Sequence, residues 1–130
     1  MIVEATRVSG LQFAMRAGAH AFTCDQRQEY GGTDLGPMPS ELFLTAIASC
    51  FGAAVAHVAK KMRVPIDPLR VLVEGEKHEE EFRFARVTVR VEARCEHDRL
   101  RRIVELAKKL CFVTNSISDK VELLFELRAT

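Results

Sequence analysis

Residues 42–56 constrain this chain more than any other part of its sequence. Leu42, Phe43, Leu44, Ala46, Ile47, Phe51, Ala53, Ala54 and Val55 fall there, with Val58 just beyond, and little polar face interrupts them before His57. Read as a helix, the stretch is apolar nearly all round, and a helix of that kind must be buried. It is shorter than the ~20 apolar residues that span a bilayer, and Thr45 and Ser49 interrupt it, so a core helix is expected and not a membrane span. The chain has 130 residues, the size of one domain with a real core, and residues 1–130 are read as a single domain. One subunit this small has trouble covering such a helix on every side. A homodimer is therefore expected.

The flanks place this helix in an α+β fold. It is predicted to begin near Pro39 and Ser40, with Ser40 as the cap and Glu41 in the first turn. It should end near Lys61, where Arg63-Val64-Pro65 stops it. Upstream, Leu11, Phe13 and Met15 alternate with Gln12, Ala14 and Arg16, the period of a half-buried strand. A turn over residues 17–19 returns the chain as a second strand over 20–24. A loop over 26–38 carries Gly31-Gly32 and Gly36-Pro37. Downstream, Leu69, Val71 and Val73 alternate up to Gly75, and Phe82, Phe84, Val87, Val89 and Val91 predict a longer strand. Asp98 is the expected cap of a second helix whose stripe is Leu100, Ile103, Val104, Ala107, Leu110 and Cys111, closed by Asn115. Val121, Leu123, Phe125 and Leu127 make the last strand. The order is βββ-α-ββ-α-β.

Charge and cysteine usage narrow the function. Nineteen Lys and Arg against 18 Asp and Glu leave a net charge of +1, which gives no reason to expect nucleic acid or an anionic membrane as partner. The first residues lack the basic start and apolar block of a signal peptide, so a cytoplasmic location is expected. Cysteines stand at 24, 50, 95 and 111, with no CxxC and no zinc-finger spacing, so neither a metal nor a cofactor is expected. In a reducing compartment such thiols are either small buried hydrophobes or redox groups.

Two of them allow both readings. Cys50 lies in the middle of the apolar helix, where it is a packing residue or a thiolate nucleophile. A thiolate needs a cation or donors, because burial alone raises its pKa. The nearest basic residue on the helix is His57, two turns away, so an activating charge must come from elsewhere in the fold or from a second subunit. Cys111 ends the stripe of the second helix, as a packing residue or as a thiol that resolves an oxidised Cys50. Cys24 and Cys95 read as packing residues.

Gly31-Gly32, the run from Gly36 through Pro37-Met38-Pro39-Ser40-Glu41-Leu42-Phe43-Leu44, Ala48-Ser49-Cys50, and Cys111-Phe112-Val113-Thr114-Asn115 resemble the signature of the OsmC/Ohr family. The resemblance covers essentially the whole chain. It implies an intertwined homodimer with a long buried central helix, acting as a thiol-dependent peroxidase on small organic hydroperoxides. Under it Cys50 is the peroxidatic thiol, Cys111 the resolving thiol, and a dithiol reductant restores both. It also implies an arginine of the N-terminal sheet over the thiolate, held by a glutamate; Arg16 is the candidate. The chain departs from the pattern in two places. Ser40 stands where family peroxidases carry that glutamate, and Phe112 follows the second cysteine where proline is common. Glu41 lies about 13 Å along the axis and half a turn round from Cys50 on an ideal helix, out of its reach. These departures keep open a non-catalytic alternative, a redox sensor or small-molecule-binding dimer of the same fold.

Overall fold

A computed structural model describes residues 1–130, and the chain divides into two compact units, Met1–Phe43 and Leu44–Thr130. The element order agrees with the α+β expectation.

In the N-terminal unit, β1 (Val3–Ser9), β2 (Gln12–Ala17) and β3 (His20–Cys24) form an antiparallel meander. The expected turn is present: Ala17 pairs with His20, leaving a two-residue connection in which Gly18 takes a φ of +61°, a conformation that costs glycine little. Every residue of β1 is exposed. The loop that follows is organised by Asp25, a residue the sequence reading passed over. Its buried carboxylate accepts hydrogen bonds from the Thr33 hydroxyl (2.6 Å) and from the backbone N–H groups of Gln26, Thr33 and Leu35. The Asp25 N–H in turn donates to the Pro37 carbonyl. Gly36 lies so close to the carbonyl of Thr23 that no side chain fits there.

The long helix α1 spans Pro39–Met62. Ser40 is not its cap. The Met38 carbonyl accepts the first helical bond, from Leu42. Pro39, whose ring presets φ and which has no N–H to satisfy, opens the helix, and the Glu41 carboxylate reaches back to the Met38 N–H at 3.2 Å. At the far end Arg63 adopts a φ of +55°, and Val64 N–H bonds the Ala59 carbonyl, the paired geometry of a Schellman stop. At 24 residues α1 has the length and apolarity to cross a bilayer. Its stripe Ile47, Phe51, Ala54, Val55, Val58 and Ala59 is nevertheless buried in the core of the same chain. The helix is not buried all round: Ala46, Ala53 and Ala56 are exposed on the opposite side.

In the C-terminal unit β4 (Leu69–Lys77), β5 (Phe84–Ala93) and β6 (Glu122–Ala129) form a mixed sheet, β4–β5 antiparallel and β5–β6 parallel. Its inner face is laid out in rows: Val71 beside Val91 beside Leu127, and Val73 beside Val89 beside Phe125. Each fully buried valine of β5 contributes roughly 1.5–3 kcal/mol. Phe82 does not join the strand; it stands in the β4–β5 connection, fully exposed. The bulge between Glu76 and Lys77 explains the broken alternation, since it brings Phe84 opposite Lys77 and Arg86 opposite Glu76. The outer face is a solvated ion-pair ladder in which Arg86 bridges Glu76 and Glu122 and Arg90 pairs with Glu126.

α2 (His97–Leu110) buries Leu100, Ile103, Val104 and Ala107. Asp98 is not its cap: Glu96 precedes the helix in extended conformation, and Asp98 pairs with Arg101 one turn on. The stripe is also broken earlier than expected. α2 stops at Leu110, Cys111 is extended, and a single turn α3 (Phe112–Asn115) follows. Asn115 closes that turn, while its side-chain amide donates to the Lys109 carbonyl at 3.3 Å.

Candidate functional site

The two cysteines singled out by sequence meet one core. On an ideal helix Cys50 lies about 60° from Ile47 and about 40° from Ala54 on one side, and about 40° from Ala46 and about 60° from Ala53 on the other. Ile47 and Ala54 are buried, whereas Ala46 and Ala53 are exposed. Cys50 therefore stands on the border of the buried stripe, half-buried and packed against the hydrophobic core. Its thiol makes no hydrogen bond and no ion pair within the chain.

Cys111 belongs to that core and is fully buried. Its place at the α2–α3 junction fixes it through the backbone. The Cys111 N–H donates to Ala107, and its carbonyl accepts from the Asn115 N–H and the Thr114 hydroxyl. A small oxidant from solvent can approach Cys50 at the core's edge and has no open route to Cys111. Of the two thiols, Cys50 is thus the more accessible to a small molecule.

Cys24 and Cys95 are held by packing. Burial pushes both thiols above their usual range; the neighbouring Asp25 adds to this at Cys24, and Arg99 opposes it at Cys95. Arg16 lies on β2 across from Glu4, exposed and without an ion pair. The N-terminal unit does contain an arginine held by a glutamate, but it is Arg27, whose guanidinium is 3.2 Å from the Glu41 carboxylate at the start of α1. The signal for this cluster was an aspartate directly before a Gly-rich loop, a natural acceptor for loop N–H groups. Those bonds, the Thr33 hydroxyl first, hold the Asp25 carboxyl below its usual pKa.

Residues 32–125 match the family model of OsmC-like proteins. The chain belongs to the OsmC-like family. The matched segment starts in the Gly-rich loop and contains both Cys50 and Cys111, and solved structures extend the likeness to the full fold. An organic hydroperoxide resistance protein, OhrB of Bacillus subtilis, is 25% identical with a TM-score of 0.71, covering 98% of each chain. An organic hydroperoxide resistance protein OsmC from Legionella pneumophila is 20% identical with a TM-score of 0.79 over 98% of this chain and 95% of its own. An OsmC-like protein from Mycoplasma pneumoniae, 15% identical, superposes with a TM-score of 0.84 over 99% and 96%. At the lower identities the likeness is one of fold. No curated protein sequence matches the chain.

Proposed function

We propose that this OsmC-like protein is a homodimeric thiol peroxidase that reduces small organic hydroperoxides. The observation that carries the reading is that a half-buried Cys50 and a fully buried Cys111 both pack in one hydrophobic core. Family membership and the hydroperoxide resistance of the B. subtilis and L. pneumophila relatives support it. The Cys50 thiolate attacks the distal peroxide oxygen; the O–O bond breaks, the alkoxide takes a proton and leaves as alcohol, and Cys50 becomes a sulfenic acid. The Cys111 thiol displaces water from that sulfur to give a Cys50–Cys111 disulfide. A dithiol reductant then exchanges with the disulfide, returns two thiols and leaves as its own disulfide.

The thiolate needs a positive charge that Cys50 lacks on its own helix. Arg16, unpaired on β2, is the proposed donor of that charge, and the dimer is the proposed setting. The exposed apolar side of α1 and the exposed Ile2, Val3 and Val8 at the N-terminal sheet are surfaces for a second copy to cover.

Two observations favour a second reading. Ser40 replaces the expected glutamate, and Cys50 has no activating partner in its own unit, which suits a slow thiol that senses oxidants without turning them over. Cumene hydroperoxide consumption with excess dithiothreitol separates the two. The peroxidase predicts multiple turnovers by wild type, none by Cys50→Ser, and, with dithiothreitol left out, a single turnover by Cys111→Ser whose Cys50 sulfenic acid is captured by dimedone. A wild-type protein that oxidises once and does not turn over is the sensor.

A further inference from the structure

Away from both thiols, two open grooves of about 910 and 600 Å³ meet at Val64 and Arg99, where the end of α1 faces the start of α2. Met62, Val64 and Pro65 give them an apolar floor. Arg99, Arg101 and Arg102 line the larger groove, and Arg94 with Arg99 lines the smaller. Most of the carboxylates here are already occupied. Asp98 is held by Arg101 at 3.3 Å, Glu96 by Arg99 at 3.4 Å, and Glu105 by Lys108 at 2.7 Å. Arg94 and Arg102 have no carboxylate partner, and Asp67 is the one lining acid without a cation. The grooves thus present two uncommitted guanidiniums beside an apolar strip, a combination that recognises a planar or tetrahedral anion carried on a hydrocarbon body.

We propose that this surface is a binding site for a small organic anion, its carboxylate or phosphate head drawn by the uncommitted guanidiniums, Arg102 in the larger groove and Arg94 in the smaller, and its short apolar tail along Met62 and Val64. The site is independent of the thiol chemistry, and nothing in it requires Cys50 or Cys111.

Calorimetric titration of the full-length protein with octanoate and with hexyl phosphate tests it, with NMR of the arginine side chains reporting the place. Either probe should bind saturably with a Kd of about 1 mM or tighter and shift the Arg94 and Arg102 resonances. Each lost charge-assisted hydrogen bond should weaken binding ~10-fold, so Arg94→Ala/Arg102→Ala should abolish it in the measurable range, while Arg102→Lys retains part. Both are surface changes, and an unaltered circular dichroism melt confirms that the variants fold. The preferred probe shows whether a carboxylate or a phosphate is the better head. Binding of inorganic phosphate as tight as that of hexyl phosphate would remove the role of the apolar floor and overturn the organic-anion assignment. Equal binding of neutral 1-hexanol, binding that survives the double variant, or no saturation with either probe would overturn the site altogether.

Discussion

Replacing Phe51 by alanine tests the packing that holds Cys50 in place. Phe51 is fully buried, and its ring sits 5.0 Å from that of Phe125 at 41°. This contact ties α1 to the parallel strand β6, so the residue next to Cys50 is anchored to the sheet. Truncation removes the transfer free energy of the ring and leaves a cavity, at a cost of about 3–5 kcal/mol. Against a total stability of 5–15 kcal/mol, typical of a domain, that is a large fraction. With a urea m-value of about 2 kcal/mol/M, the midpoint should fall by ~1.5–2.5 M. Phe51→Leu keeps most of the volume and should cost no more than about 1.5 kcal/mol. A double-mutant cycle of Phe51→Leu with Phe125→Leu should return a coupling of about 0.5–1.5 kcal/mol for the tilted ring pair. Urea unfolding followed by circular dichroism gives all of these values, at fixed protomer concentration because the stability of the proposed dimer would depend on it. A Phe51→Ala cost below about 1 kcal/mol, or a coupling of zero, would refute the packing described for α1.

Three further outcomes follow. Gly36→Ala should disrupt the loop over 26–38, because its methyl group would meet the rigid Thr23 backbone well inside contact distance; a melt equal to wild type would show that the loop can shift freely. Asp25 has a depressed folded-state pKa, so the stability it contributes is present above its unfolded value near 4 and is lost as pH falls through the folded value. Asp25→Asn should therefore be less stable than wild type at neutral pH, with the gap narrowing steadily as wild type is acidified below about pH 4; an unchanged gap in pH-dependent urea melts would contradict this. Sedimentation at micromolar concentration should show one dimeric species, and a well-folded monomer there would sink the dimer.

The fold was legible wherever apolar periodicity was strong. The β5 valines, the α2 stripe and the long run in α1 carry it. What escaped was decided by groups whose role depends on geometry and not on pattern. Ser40 and Asp98 are good caps by residue type, but Pro39 opens α1 ahead of Ser40 with the Glu41 carboxylate on the Met38 N–H, and Asp98 pairs with Arg101 inside α2. Phe82 has the composition of a strand residue and lies beyond the last pair of the ladder, Lys77 with Phe84. The parallel pairing of β6 is set by the path of α2, and no local signal in residues 121–127 encodes it. At the site, the sequence named both Cys50 and Cys111, and the resemblance supplied the order of action proposed for them. It could not show that Arg27 is tied to Glu41, because the Asp25-centred loop that places Arg27 is held by backbone N–H groups.

Peptide mapping of the protein after one equivalent of cumene hydroperoxide decides whether the two thiols act as a pair. A single intrachain disulfide should join the Cys50 and Cys111 peptides, two hydrogens lighter than their sum and reversed by dithiothreitol, with Cys24 and Cys95 still alkylatable after unfolding. A bridge through Cys24 or Cys95, or four free thiols after complete exposure to the peroxide, would contradict that pairing.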